Sequence, residues 1–155
     1  MEFQLFCIGK TNRKYLSIAI NEYQKRLQHF IKFSIVYLPE TKIKINQKKL
    51  KHEESKIILK NIKNDDLIIL LDEKGIPLTS VGFSKKLNKL IISGKKRIIF
   101  VIGGAYGFSD CLYKKFPEVL ALSPMTFSHQ IVRLIFCEQL YRAFTIINNH
   151  PYHNK

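Results

Sequence analysis

The feature that most constrains the fold is the alternation of short apolar segments with longer segments of helical periodicity. Residues 4–8 alternate like a strand, residues 13–30 carry apolar side chains at helical spacing, and residues 32–38 again favour a strand, closed by Pro39. Two strands joined through a helix are typical of a parallel pair. The opening of the chain therefore predicts a β-α-β unit.

The same alternation continues through the rest of the sequence. It predicts a buried strand running into a turn at 67–75, strands at 98–102 and 118–123, and a loop at 39–47. It predicts helices at 48–62, from Thr79 or Ser80 to Gly94, near 110–116 and at 128–149. Strands separated by helices favour an α/β fold with a mainly parallel sheet covered by helices on both faces. At 155 residues, with no repeat or linker, we expect residues 1–155 to form a single domain.

Three loops of this predicted sheet are candidates for a ligand site, because ligands of parallel sheets bind at the carboxyl ends of strands. They follow Leu71, Ile102 and Leu122. The loop after Ile102 starts with two glycines and has a third at Gly107, which allows close approach of backbone to a ligand but is also typical of a plain strand-to-helix turn. The pattern fits neither G-x-G-x-x-G nor the phosphate loop, so a dinucleotide or nucleoside triphosphate site is disfavoured.

The charge of the chain favours a polyanionic partner such as RNA. There are 26 Lys and Arg residues against 12 Asp and Glu, giving a net charge of +14. An alternative is compositional drift toward Lys, since the sequence is also rich in Ile and Asn. Arg133 and Arg142, on the last predicted helix, carry more information, because a guanidinium is the better fork for phosphate or carboxylate.

Several classes of protein are disfavoured by what the sequence lacks. No apolar stretch approaches the roughly 18 residues of a membrane span, and the N-terminus has neither a basic region nor a cleavage site. Cys7, Cys111 and Cys137 are widely spaced, and the histidines form no recognisable zinc set. We expect a cytoplasmic protein with free thiols, no metal and no membrane partner.

The last predicted helix is apolar around most of its circumference. Its apolar residues are Ile131, Val132, Leu134, Ile135, Phe136, Leu140, Phe144, Ile146 and Ile147. Such a helix must be buried on two sides, by the sheet and by a second partner, which a symmetric homodimer supplies most simply. Enclosure within the monomer is the alternative. Glu138 and Arg142 stand at i,i+4 and either simply pair or mark a subunit interface or an RNA site.

Sequence motifs along the whole chain support a specific family. The segments "VIGGAYG", "LALSPMTFSHQIVRLIFCEQLYRAF" and "NNHPYH", together with the earlier "IGK" and "EYQKRL", resemble the ribosomal large-subunit pseudouridine N3-methyltransferase family (RlmH). This family is a branch of the SPOUT superfamily of S-adenosylmethionine-dependent methyltransferases. The resemblance implies an α/β fold with a C-terminal trefoil knot, a homodimer, and methylation of N3 of a pseudouridine in 23S rRNA, on the assembled ribosome.

The resemblance also implies a cofactor site for S-adenosyl-L-methionine, held in a bent form by three loops. Leu71 borders the adenine and Gly103 lies against the cofactor. The loop that encloses it consists of Leu122, Ser123, Pro124, Met125, Thr126 and Phe127. Plain core packing is the alternative role of Met125 and Phe127.

Catalytic roles follow from the resemblance as well. The resemblance implies that Arg142, Tyr152 and His153 lie near the target base. We expect Arg142 to hold phosphate or the developing anion, Tyr152 to orient the base by stacking or hydrogen bonding, and His153 to accept the proton, without a metal. Related proteins usually place a basic residue directly after the final Tyr-His, where this chain has Asn154, so Lys155 and the terminal carboxylate stay outside the predicted catalytic set. The rival hypothesis is a non-catalytic protein that clamps rRNA by charge, with the three strand-end loops acting only as turns.

Overall fold

The computed structural model describes residues 1–41 and 46–152. The strands and helices along this chain are β1 (Glu2–Ile8), α1 (Lys14–Leu27), β2 (Lys32–Leu38), α2 (Gln47–Lys60), β3 (Leu67–Pro77), α3 (Ser80–Ile92), β4 (Arg97–Ile102), α4 (Asp110–Lys115), β5 (Val119–Ala121) and α5 (Ile131–Ile147). The predicted alternation of strands and helices is confirmed, and most boundaries differ from prediction by only a few residues. Of the predicted loop at 39–47, residues 42–45 lie outside the described residues, and Gln47 already belongs to α2.

The five strands form one sheet in the order β2-β1-β4-β3-β5, and every strand pair is parallel. The central strand β4 is buried along residues 98–102, as a strand covered on both faces must be. One feature was not predicted: β3 continues past its turn to Pro77, through a shift of register against β5 between Leu71 and Ile76. The α/β class with a parallel sheet is therefore confirmed.

Helices cover both faces of the sheet and complete two apolar cores. On one face, Leu16 of α1, Phe83 of α3 and Phe136 of α5 pack over the sheet, with the rings of Phe100 and Phe136 only 4.8 Å apart between centroids. On the other face, Ile58 of α2 and Leu112 of α4 belong to a second core. Full burial of each such side chain contributes about 1.5–3 kcal/mol. This packing therefore holds each helix in place on the sheet.

Local signals at the ends of α3 match the prediction. The hydroxyl of Thr79 accepts a hydrogen bond from the backbone N–H of Gly82 at 3.0 Å and so caps the helix. Gly94 follows the helix with φ +71°, a left-handed conformation that favours glycine. No helix within the described ranges is long and apolar enough to cross a membrane.

Helix α5 lies against the sheet between α1 and α3, and this explains most of its apolar circumference. Eight of its residues are buried: Arg133, Phe136, Cys137, Leu140, Tyr141, Ala143, Phe144 and Thr145. Another set remains partly or largely exposed at helical spacing, and we call it the outer strip of α5: Ile131, Ile135, Glu138, Arg142 and Ile146. Enclosure within the monomer thus accounts for much of this helix but leaves the outer strip without full cover.

Candidate functional site

A cavity of about 540 Å³ opens beside residues 71–74 of β3 and the carboxyl ends of β4 and β5. All three loops predicted to follow Leu71, Ile102 and Leu122 contribute to its wall. Seven of the eight predicted cofactor residues line it: Leu71, Gly103, Leu122, Ser123, Met125, Thr126 and Phe127. Pro124 belongs to the same loop but is not among the lining residues. The structure therefore brings the three loops together at one concave site.

The glycine loop after β4 folds tightly on itself. The backbone N–H of Gly107 donates to the carbonyl of Gly104 at 3.1 Å, and Gly107 has φ +73°. A Cβ added at Gly103 would lie 3.2 Å from the carbonyl carbon of Gly107 and 3.3 Å from Cε1 of Phe108. A side chain at Gly103 would therefore force its neighbours in the loop to move by a few tenths of an ångström. The turn interpretation is confirmed at this position, and it is compatible with the loop also lining a cavity.

A buried carboxylate stands behind the glycine loop. Glu54 of α2 is only 7% exposed, and a Cβ added at Gly104 would lie 2.7 Å from its Oε2. Burial raises the pKa of Glu54 above its usual range, against the opposing effect of a hydrogen bond from the Gly104 backbone. Sequence reasoning missed Glu54. The available signal was its position four residues before the buried Ile58, which places a carboxylate on the apolar side of the helix.

The loop at 122–127 covers the cavity from the other side. Met125 is 75% exposed, so core packing, the alternative role for this residue, is wrong. The backbone N–H of Met125 donates to Oγ of Ser123 at 2.9 Å, and the hydroxyl of Thr126 donates to the carboxylate of Glu73. This last bond joins the second half of β3 to the loop after β5, and both residues line the cavity.

Two polar side chains at the cavity have fixed protonation states near neutral pH. The hydroxyl of Tyr113 donates to Oδ2 of Asp72 at 2.9 Å, and burial together with this bond raises the pKa of Tyr113 well above its usual range. Burial, with Arg133 nearby, lowers the pKa of His129. Tyr113 therefore stays a donor that holds the carboxylate of Asp72 in place, and His129 is neutral.

A second cluster lies on the outer strip of α5 and contains two of the predicted catalytic residues. Nε and Nη2 of Arg142 donate to Oε1 of Glu138 at 2.9 and 2.6 Å, and the hydroxyl of Tyr152 donates to the same oxygen at 3.3 Å. The guanidinium of Arg142 lies 4.9 Å from the ring centroid of Tyr152. We call Glu138, Arg142 and Tyr152 the tail cluster. His153 lies outside the described residues.

Aromatic packing holds Tyr152 in the tail cluster. Its ring packs edge-on against Tyr141 with centroids 4.9 Å apart, and its hydroxyl is 3.4 Å from that of Tyr23 on α1. Burial, as the largest effect, raises the pKa of Tyr152, so its phenol stays protonated at neutral pH and can donate but not act as a base. The i,i+4 pair predicted for Glu138 and Arg142 is confirmed, and Tyr152 is its third member.

Within one chain, the cavity and the tail cluster are separate. Val132 lines the cavity, whereas Arg142 lies ten residues farther along α5, which is about 15 Å along the helix axis. Neither Arg142 nor Tyr152 is among the residues lining the cavity. The structure therefore does not bring Arg142 or Tyr152 to the predicted cofactor residues of the same chain.

Arg133, which the sequence suggested as a fork for phosphate or carboxylate, has a different role. It is fully buried, and Nη2 donates to the carbonyl of Ile8 at 2.7 Å, Nε to the carbonyl of His129 at 2.9 Å, and Nη1 to Oγ1 of Thr11 at 3.1 Å. These contacts tie the start of α5 to the end of β1. The phosphate hypothesis is wrong for Arg133 because its donors are directed to neutral acceptors inside the protein.

Comparison with known proteins gives three results. The family model described as predicted SPOUT methyltransferase matches residues 1–153. Proteins named ribosomal RNA large subunit methyltransferase H, from Christiangramia forsetii and Flavobacterium johnsoniae, are each 48% identical over 157 residues, covering 100% of this chain and of theirs. The structure of a probable methylase family protein from Haemophilus influenzae Rd KW20 superposes with a TM-score of 0.51 at 15% identity, over 95% of this chain and 66% of that one. At that identity the structural likeness supports the fold alone.

Proposed function

Because the chain belongs to the SPOUT methyltransferase family, we propose that it transfers a methyl group from S-adenosylmethionine to N3 of a pseudouridine in 23S rRNA. The observation that carries this proposal is the cavity built from all three strand-end loops, together with relatives named as large-subunit rRNA methyltransferases. The net charge of +14 suits a polyanionic substrate. The substrate we propose is the assembled ribosome, in the cytoplasm.

The residues of the cavity fit S-adenosylmethionine. Its volume of about 540 Å³ lies within the range of small-molecule sites. Leu71, Ile102 and Leu122 offer an apolar wall for a flat base, and the carboxylates of Asp72 and Glu73 can accept hydrogen bonds from ribose hydroxyls or offset a positive charge. When bound, the cofactor supplies a methyl group on a sulfonium, which makes it a good acceptor for a nucleophile.

The tail cluster supplies groups suited to the target base. Transfer to N3 requires loss of the N3 proton, so a base or a group that stabilises the developing anion is needed. Arg142 stays cationic because Glu138 raises its pKa, and it can stabilise that anion. Tyr152, as a protonated phenol beside Arg142, can stack on or donate to the base, and we assign proton acceptance to His153.

The separation of about 15 Å along α5 supports a homodimer. A two-fold interface along the outer strip of α5 would bury Ile131, Ile135 and Ile146, and it would bring the tail cluster of one subunit toward the cavity of the other. The same proposal includes the trefoil knot that the resemblance implies. In it, the chain would pass through the knot between the cavity loop at 122–127 and α5.

The test is methyl transfer to ribosomes taken from a strain that lacks this gene, followed by mapping of the modified nucleotide in 23S rRNA. We expect one methylated pseudouridine that is absent without the protein. Thermal unfolding separates the rival hypothesis, a non-catalytic RNA-binding protein. A true site at a hundredfold excess of S-adenosylmethionine over its Kd stabilises the fold by about 2.7 kcal/mol, whereas a pure RNA clamp shows no shift.

A further inference from the structure

Helix α2 carries a polar pair on its buried side. Glu54 and Ser55 are only 7% and 1% exposed, whereas the exposed positions of the same helix are mostly Lys. A buried carboxylate is costly unless it is hydrogen-bonded or paired. Among the described residues Glu54 forms no ion pair, and its charged neighbour is Glu40, a like charge from the segment after β2. Packing alone therefore gives no reason for a carboxylate at this position.

The contacts of this polar pair explain it, because both residues touch the glycine loop. Glu54 accepts a hydrogen bond from the backbone of Gly104, near the start of the loop. The hydroxyl of Ser55 lies 2.5 Å from that of Ser109, at the end of the loop. Two adjacent residues of α2 thus hold the loop at both ends, and neither of them lines the cavity.

Gly104 and Glu54 are mutually dependent. A Cβ at Gly104 would lie 2.8 Å from Cδ of Glu54, so only glycine leaves room for the carboxylate at this distance. Conversely, the Gly104 amide would lose its acceptor if Glu54 were removed, and a partly buried N–H without an acceptor is unfavourable. Gly103 and Gly104 both line the cavity, so a shift of this backbone changes the shape of the wall.

We propose that Glu54 is a positioning residue for the cofactor loop, holding the backbone of Gly104 in the conformation that binds S-adenosylmethionine without touching the cofactor. The proposal rests on the function assigned to the cavity. An ionised carboxylate is a stronger acceptor for an N–H than a neutral group. Loop order and cofactor affinity therefore both depend on Glu54, and its negative charge strengthens the hydrogen bond that it accepts from Gly104.

Two substitutions at Glu54 separate charge from shape. Glu54→Gln keeps an oxygen acceptor and the side-chain volume but removes the charge, and Glu54→Ala removes the acceptor. The matched controls are Glu53→Gln and Glu53→Ala. Glu53 is the neighbouring carboxylate on the same helix, is 34% exposed in its side chain, and pairs with Lys56 instead of the loop.

The first measurement is hydrogen exchange of the loop amides without cofactor. We expect Glu54→Ala to speed exchange at Gly104 by about tenfold or more, because the amide loses its acceptor, and Glu54→Gln to speed it less. The Glu53 variants should match the wild type. Unchanged exchange at Gly104 in folded Glu54→Ala would overturn the proposal, whatever the function of the cavity.

The second measurement is calorimetry with S-adenosylmethionine. We expect Glu54→Ala to weaken affinity by about tenfold and Glu54→Gln by less. Burial raises the pKa of Glu54, so wild-type affinity should fall as the pH drops through that pKa, and the loss should be smaller in Glu54→Gln. The two proteins differ only at position 54, so the difference between the two profiles reports Glu54.

The two measurements distinguish the two ways to fail. If the wild type binds no S-adenosylmethionine, the proposed function fails, and hydrogen exchange still decides the role of Glu54. If Glu54→Ala does not fold, the same measurements on Glu54→Gln decide whether Glu54 positions the loop. A Glu54→Gln protein with the wild-type exchange rate and the wild-type pH profile of binding would overturn the positioning role.

Discussion

Tyr152 is the described residue at which the proposed catalysis is most directly testable. Its hydroxyl has two partners, Oε1 of Glu138 at 3.3 Å and the hydroxyl of Tyr23 at 3.4 Å, and its ring packs on Arg142 and Tyr141. Tyr152→Phe removes the hydroxyl and leaves the ring contacts. The substitution therefore isolates the donor function of the phenol from the packing of the tail.

The expected cost to stability is small. Both hydrogen bonds are at the long end of the normal range and partly exposed, so together they contribute at most about 1 kcal/mol. For a domain of this size, a loss of about 1 kcal/mol lowers Tm by roughly 2–4 °C. Affinity for S-adenosylmethionine should not change, because Tyr152 does not line the cavity.

The expected cost to activity is larger. If the phenol orients the target base, its loss should lower the rate of methyl transfer to ribosomes by about tenfold or more, since a tenfold loss needs only about 1.4 kcal/mol of transition-state contact. Tyr23→Phe is the matched control, because it removes the 3.4 Å contact but keeps the Tyr152 hydroxyl. We expect it to keep most of the activity.

The assays are thermal unfolding, calorimetry with S-adenosylmethionine, and single-turnover methylation of ribosomes from a strain without the gene. A Tyr152→Phe protein that methylates at the wild-type rate would show that the Tyr152 hydroxyl has no role in catalysis and that the tail only packs on α1 and α5. A rate loss that merely tracks a loss of cofactor affinity would also refute the reasoning, because the phenol would then act on the cavity instead of on the base.

The remaining predictions concern the loop, the subunit interface and two titrating groups. Gly103→Val should abolish cofactor binding in calorimetry while the fold persists, because its Cβ alone would lie 3.2 Å from Gly107; unchanged affinity would mean that the loop does not form the site. Ile135→Lys, on the outer strip, should convert a dimer to a monomer in light scattering. Ile18→Lys, at an exposed position of α1, should leave the dimer intact. His153→Ala should flatten the rise in rate between roughly pH 6 and 8, and a profile parallel to the wild type would remove its role as base. Because the pKa of Glu54 is raised in the folded state, the wild type should lose stability relative to Glu54→Gln as the pH rises through that pKa. Denaturant unfolding at several pH values measures this difference, and it would show no such trend if Glu54 were solvated.

The sequence predicted the sheet well because the signals of its strands are local. A run such as 98–102 is apolar throughout, and only a strand covered on both faces accepts that pattern at this length. The position of the cavity followed from the same reasoning, since parallel strands end on one edge. The extension of β3 to Pro77 could not be predicted, because it depends on pairing with β5, some 45 residues away, and residues 72–77 look like a turn.

The contacts that hold the site were beyond pattern reasoning. Arg133 and Arg142 look alike in the sequence, nine residues apart on one helix, but one is fully buried against backbone carbonyls and the other is partly exposed beside Tyr152. Their difference is set by rotation about the helix axis relative to β1, which depends on tertiary packing. The role of Glu54 was hidden for the same reason, because the backbone amide that it accepts from is about 50 residues distant in sequence.

Acidic residues turn out to be the more informative charges in this chain. With 26 Lys and Arg residues, a basic side chain at any exposed position says little, whereas the 12 Asp and Glu residues are the minority charge. Four of them stand at the sites discussed above: Glu54 behind the glycine loop, Asp72 and Glu73 at the cavity, and Glu138 at the centre of the tail cluster. Each accepts a hydrogen bond from a group at one of these sites, so replacing one leaves a donor without its acceptor. Charge drift toward Lys can therefore proceed over most of this surface, but it should stop at these four carboxylates.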